Sequence, residues 1–125
     1  MADSDSSGAK FSLDMLAGFS GGETFYRHSI VQSVVYTEGV QFLAERAEAC
    51  WLLDEIAVAQ ILPRVKTEEF QCWVLKVAQN KSATLTCDDG NGRVILSKQI
   101  EYTDFPLAEI KLYCTGNTIM LPGEY

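Results

Sequence analysis

The chain has 125 residues and a formal net charge of −7, with 47% hydrophobic and 22% charged residues. These proportions are typical of a globular protein, and the length fits a single domain. No apolar run approaches the roughly 18 residues that a transmembrane helix needs. An excess of acidic side chains also opposes direct contact with a phosphate backbone. We therefore expect no association with a membrane and no direct contact with nucleic-acid phosphates.

The acidic charge is concentrated in the first half of the chain. Residues 1–62 carry nine acidic and three basic side chains, whereas residues 63–125 carry eight acidic and seven basic ones. The opening segment lacks the basic region followed by an apolar region that defines a secretory signal. We therefore expect a cytoplasmic protein whose four cysteines remain thiols.

The residues before the main helical segment predict a tail, a short helix and one or two short strands. Residues 1–10 have almost no apolar surface to bury, so we expect a disordered tail followed by one domain over residues 11–125. Residues 12–17 are apolar enough for a short amphipathic helix before a glycine-rich stretch. Residues 30–36 are rich in β-branched side chains, which favour extended structure.

Residues 37–62 form the longest segment with helical character. Alanine, leucine and glutamate dominate it, Thr37 is suited to cap its start, and Pro63 marks its far boundary. Its apolar residues form two sets, one on each side of residues 48–50, and the two sets do not lie on one continuous helix face. This predicts a break across residues 48–50 and two helices of about three turns. Trp51 follows this break, and we expect its ring to be the largest single part of the core.

After Pro63 the sequence changes to the period of β-strands. Residues 70–77 are apolar on both faces, which predicts a central strand, and residues 82–88 alternate between apolar and polar side chains. A hairpin turn is expected at residues 88–92, since Gly and Asn tolerate positive φ. Further strands are expected at residues 93–102, 110–114 and 118–121. The pattern predicts an α+β domain with one or two central helices packed on an antiparallel β-meander of at least four strands.

Two patterns that could indicate metal sites are better explained by the fold. The four cysteines, Cys50, Cys72, Cys87 and Cys114, lack the close pairing of zinc ligands. The last three occupy predicted strand positions that point inward. The hairpin at residues 88–92 departs from the EF-hand pattern at Gly90 and Arg93. No glycine-rich phosphate-binding loop is present either. We therefore expect buried thiols, no bound metal and no cofactor.

His28 is the single histidine, so a general acid–base mechanism of the common kind would have to use it. The sequence around it is equally typical of a capped loop and of a ligand pocket formed with Tyr26, Arg27 and Trp51. A surface histidine is the more common arrangement. We therefore expect an exposed His28, and we keep these four residues as candidates for a pocket.

Glu45, Glu48 and Glu55 are the expected exposed acids of the helical segment. A solvated charged face explains them without any function. They are also the candidates for binding a partner, because a basic surface would be attracted to them.

Several blocks of this sequence together resemble an uncharacterised family of small bacterial proteins. The blocks are FYRH, YTEGVQFLAERAEACWLLDEIA, FQCWVLKV, ATLTCDDGNG, IEYTDFPL and IKLYCTGNTIMLPGEY, and they span about residues 19–125. The resemblance implies a domain of unknown function, often cyanobacterial or carried on mobile elements. It supplies no activity and no known site.

Two functions fit these observations. The first is a non-enzymatic interaction module in which the acidic helical half meets a basic protein surface, or in which the chain forms a homodimer. The second is a small-molecule-binding protein or modest enzyme with a pocket near Tyr26, Arg27, His28 and Trp51. An interaction module needs an exposed patch, whereas an enzyme needs a concave pocket with converging polar groups. The sequence contains no recognisable catalytic constellation, which favours the first.

Overall fold

The computed structural model describes residues 11–125. The tail predicted at residues 1–10 lies outside these residues. Within the described range, every helix is too short or too polar to span a bilayer.

Three α-helices and seven strands follow one another along the described residues. The helices are α1 (Glu38–Arg46), α2 (Cys50–Ala59) and α3 (Pro63–Lys66). The strands are β1 (Phe25–Arg27), β2 (Val35–Thr37), β3 (Phe70–Val77), β4 (Ala83–Asp88), β5 (Val94–Ile100), β6 (Glu109–Thr115) and β7 (Thr118–Met120). Short 3₁₀ helices lie at Leu13–Leu16 and Pro122–Glu124, and the first of them occupies the predicted helix of residues 12–17.

The strands form one mixed sheet in the order β1-β2-β7-β6-β3-β4-β5. Strand β3 pairs antiparallel with both β4 and β6, which confirms it as a central strand. The prediction of an α+β fold with at least four antiparallel strands is confirmed.

The connections within this sheet are more complex than a simple meander. Strands β3, β4 and β5 are consecutive antiparallel neighbours, and β6 then returns to lie beside β3. This arrangement is a Greek key. The sheet also contains a parallel pair, β2 with β7, which a meander does not produce. These features depend on pairing between segments far apart in sequence, and local patterns do not encode that pairing.

The helical segment breaks where its two apolar sets change phase. Helix α1 ends at Arg46 and α2 begins at Cys50, which confirms the predicted break. At the break, Glu48 has a φ of 52° and the Ala49 amide donates to the carbonyl of Ala44 at 2.9 Å. This six-residue bond and the left-handed residue form a Schellman motif, in which glycine is the usual residue at the position of Glu48. The chain therefore turns here without a glycine.

The start of α1 is held by the other end of the chain. Thr37 caps the helix, its hydroxyl oxygen accepting from the Val40 amide at 3.3 Å, as predicted. The same hydroxyl donates to Glu124 Oε1 at 2.5 Å, and the Gly39 amide donates to Glu124 Oε2 at 3.2 Å. A Cβ on Gly39 would lie 2.6 Å from Leu121 Cδ1 and 2.8 Å from Glu124 Oε1, so a larger residue here would have to displace these side chains.

The largest fully buried side chain is Trp73 on β3, not Trp51. Trp73 is 2% exposed, whereas Trp51 is only half-buried at the edge of the core. The expectation that Trp51 is the largest part of the core is therefore wrong. Trp51 lies at the start of α2 and lines a surface recess, whereas Trp73 lies in the central strand, which is paired on both sides.

Candidate functional site

The three acids predicted to bind a partner lie in different surroundings. Glu45 in α1 and Glu48 in the helix break are exposed. Glu55 in α2 instead pairs with Lys98 of β5, whose Nζ lies 2.8 and 2.7 Å from its two carboxylate oxygens. This ion pair compensates the charge of Glu55, whereas Glu45 and Glu48 form no ion pair with any of residues 11–125.

Glu48 and Trp51 line a surface recess between the helix break and the chain that follows β5. The recess has a volume of about 290 Å³. On its other side lie Tyr102, which is 63% exposed, and Asp104. The remaining lining residues are Ala47, Ile100, Thr103 and Phe105. Three aromatic side chains, including the buried Phe105, and two carboxylates therefore border one cavity.

The polar groups on the far side of the recess are ordered by each other. The Tyr102 hydroxyl donates to Asp104 Oδ1 at 2.7 Å. This hydrogen bond, together with the charge of Asp104, raises the pKa of Tyr102, so its phenol stays neutral and keeps donating. Within residues 11–125, no lysine or arginine lines the recess and no ion pair to Glu48 or Asp104 is formed. The recess therefore carries negative charge that this part of the chain leaves uncompensated.

His28 is buried, with 4% of its surface exposed, so the expectation of a surface histidine is wrong. Its Nδ1 accepts hydrogen bonds from the amides of Ile30 at 3.2 Å and Val31 at 3.0 Å. Its Nε2 lies 2.7 Å from Asp54 Oδ1 on α2. These partners assign the proton to Nε2, which donates to the carboxylate. Both ring nitrogens are thus occupied, and neither is available to take a proton from a substrate in this arrangement.

The other pocket candidates are engaged nearby but do not surround one cavity with Trp51. The Tyr26 ring stacks on Tyr36 across β1 and β2, with 5.8 Å between ring centroids. Arg27 donates from Nη1 to the carbonyl of Gln32 at 2.5 Å, closing the loop that contains His28. Tyr26, Arg27 and His28 are not among the residues that line the recess at Trp51. The structure therefore separates the predicted pocket into two regions.

The cysteines and the hairpin follow the structural interpretation of the sequence, with one exception. Cys72, Cys87 and Cys114 are buried, whereas Cys50 is exposed at the start of α2, so the expectation of a buried thiol is wrong there. In the hairpin, Asp89 Oδ1 accepts from the Asn91 amide at 2.8 Å and the Arg93 amide at 3.2 Å. These bonds lie within the turn, so the carboxylate helps to order it, and they lower the pKa of Asp89.

Sequence reasoning missed Tyr102 and Asp104. The only local signal is an aromatic residue between polar ones, directly after a strand and before Pro106. Such a pattern is common in loops, and the closeness of this loop to the helix break is a property of the tertiary structure.

The fold and the recess define a small α+β protein with an acidic helical half and an acidic, aromatic surface recess. The chain belongs to a family of unknown function, DUF6876, whose model matches residues 10–125. This confirms the resemblance to a family that has no assigned activity. Comparison with curated proteins and with solved structures finds no match.

Proposed function

We propose that this protein is a non-enzymatic interaction module whose acidic helical half binds a basic surface on a protein partner. The observation that supports the proposal is the exposure of Glu45 and Glu48 beside the helix break. Arg46 is the single basic residue of the helical segment, and its guanidinium lies over the Phe42 ring, 4.9 Å from the centroid. The negative charge of α1 and the break is therefore presented to solvent.

Complementary charge of this kind acts chiefly on the rate of encounter and on the choice of partner. Screening shortens the range of such forces to about 10 Å at 0.1 M salt and about 3 Å at 1 M. Binding through this surface should therefore weaken steadily as salt is added.

The test is a pull-down from host lysate at low and high salt, with the parent chain and with Glu45→Lys/Glu48→Lys. The double variant and high salt should each remove the same captured protein. The matched control is Glu109→Lys, which reverses an exposed acid on β6, outside the helical half. Captured proteins that are indifferent to the double reversal, or equally lost with the control, would refute the proposal.

The alternative partner is a second copy of the chain, and light scattering of the pure protein at several concentrations separates a homodimer from a monomer. The alternative function, a small-molecule-binding protein or modest enzyme, is less well supported. His28 and Arg27 already bond within the protein, so they do not converge as free polar groups on a ligand.

We further propose a bacterial source, a cytoplasmic location and no direct contact with nucleic-acid phosphates. The sequence blocks support the first, the four free thiols support the second, and the net charge of −7 supports the third. Cell fractionation with an antibody to the native protein tests the location, and recovery in a secreted or membrane fraction would contradict it.

A further inference from the structure

We propose that the recess bordered by Glu48, Trp51, Tyr102 and Asp104 receives an arginine side chain of the basic partner. This inference rests on the proposed function and names the group that is recognised. The four residues come from the helix break, the start of α2 and the loop after β5, and they line one cavity.

The negative charge of the recess favours a positively charged occupant. Glu48 and Asp104 are both exposed, and no basic side chain among residues 11–125 lines the recess. Asp104 already accepts the Tyr102 hydroxyl through Oδ1, which leaves Oδ2 and the Glu48 carboxylate to face a ligand. A cation entering the recess therefore meets two carboxylates, whereas an anion is repelled by both.

The aromatic rings favour a guanidinium over other cations. A planar guanidinium stacks on aromatic faces and forms paired hydrogen bonds with a carboxylate at the same time. An ammonium is more strongly hydrated and lacks the planar fork. Trp51 is half-buried and Tyr102 is 63% exposed, so both rings have surface that a stacked group would cover.

The size of the recess favours one side chain over a cofactor. Pockets for drug-sized ligands and cofactors commonly measure about 300–1,000 Å³ and enclose most of the ligand. This recess, at about 290 Å³, lies at the lower limit and is open to solvent on the side of Tyr102.

The experiment titrates the ¹⁵N-labelled protein with a glycine–arginine repeat peptide and follows the two tryptophan indole resonances. Trp51→Phe assigns them, because Trp73 is the other tryptophan. The arginine peptide should shift the Trp51 resonance and leave that of buried Trp73 unchanged. A peptide with citrulline, the neutral isostere of arginine, should produce no shift, and a lysine peptide should bind at least severalfold more weakly.

Substitutions of residues that line the recess should weaken binding of the arginine peptide, and matched substitutions elsewhere should not. Removal of one stacking ring by Tyr102→Leu should lower the affinity about two- to fivefold. Asp104→Asn, which keeps an acceptor for Tyr102, should lower it at least as much. The controls are Tyr125→Leu, an exposed tyrosine that does not line the recess, and Glu109→Gln, an exposed acid of β6 that lies outside the helical half and does not line the recess.

The outcomes separate the two proposals. If the arginine peptide binds in a salt-sensitive way but leaves the Trp51 resonance unmoved, the recess is not the arginine site. The proposed acidic interaction surface would then still stand. A shift at Trp51 together with a lysate pull-down insensitive to charge reversal would retain the recess and overturn the proposed function. Equal shifts with arginine, lysine and citrulline peptides would overturn the assignment to arginine.

Discussion

The side-chain amides of Gln60 and Gln71 bond to each other reciprocally, with both N–O distances 2.8 Å. Gln60 lies directly after α2, and Gln71 is the second residue of β3. Gln71 Oε1 also accepts from the Trp73 indole at 2.9 Å, and Gln71 Nε2 donates to the Val65 carbonyl at 3.0 Å. This buried network therefore ties the end of the helical segment to the central strand.

Gln71→Leu should destabilise the fold by about 2 kcal/mol or more. The substitution leaves the Trp73 indole and the Gln60 amide buried without their partner, and each unsatisfied group costs roughly 1–3 kcal/mol. Urea unfolding measures the change. Gln79→Leu, in the exposed loop after β3, is the control and should stay within about 0.5 kcal/mol of the parent. A Gln71 variant as stable as the control would contradict the role given to the network.

His28→Ala should cost about 2 kcal/mol or more, because it leaves the amides of Ile30 and Val31 without their acceptor. His28→Asn should recover part of this loss, since an asparagine oxygen accepts amide bonds from the residues two and three positions ahead. Asp54→Asn should cost little, because its oxygen still accepts from Nε2 and the side chain is 55% exposed. Thermal unfolding of the three variants checks this order, and an innocuous His28→Ala would refute it.

Trp73→Ala should destabilise the protein by roughly 3–5 kcal/mol, the cost of removing a large buried aromatic side chain. Trp51→Ala should cost clearly less, since its ring is only half-buried. Urea unfolding followed by circular dichroism compares the two without relying on tryptophan fluorescence. The reverse order would show that Trp51 carries more of the core than its exposure indicates.

Glu48→Gly should stabilise the fold by about 1 kcal/mol. At a φ of 52°, a residue with a side chain pays about 1–2 kcal/mol that glycine avoids, and the greater freedom of glycine in the unfolded chain offsets part of the gain. Glu48→Ala keeps the strain and serves as the control, with an expected change below about 0.5 kcal/mol. A destabilising Glu48→Gly would mean that the Glu48 side chain contributes more to the fold than its exposure suggests.

The free energy of unfolding should fall as the pH rises above about 9. Burial raises the pKa of the Cys87 and Cys114 thiols from an ordinary value of 9.0 to about 12. In the unfolded chain these thiols lose their protons first, so stability is unaffected below pH 9 and is lost progressively between pH 9 and 12. The loss should reach about 1 kcal/mol per thiol by pH 10.

The measurement is urea unfolding from pH 8 to 10.5 in the presence of a reductant. The change of the unfolding free energy with pH is compared between Cys114→Ala and the parent. This comparison is unaffected by the constant cost of the cavity and by the titration of lysines and tyrosines, which both proteins share. A smaller slope in the variant supports the prediction, and an identical slope contradicts it.

The amino-acid sequence by itself determined the elements with strong local signals. The cap at Thr37, the break between α1 and α2 and the alternating strand β4 follow from propensity, apolar phase and period, which act over a few residues. The hairpin after Asp88 follows likewise from residues that tolerate a positive φ.

Only the tertiary structure decided which distant residues meet. The parallel pair β2–β7 and the burial of Trp73 in place of Trp51 depend on contacts across the chain. The same is true of the hydrogen bond between His28 and Asp54, which are 26 residues apart. Through this bond a histidine that we expected on the surface is buried and connects its loop to α2. The recess that both Glu48 and Asp104 line also depends on such contacts. The period and propensity of a single segment do not determine how it packs against a distant one.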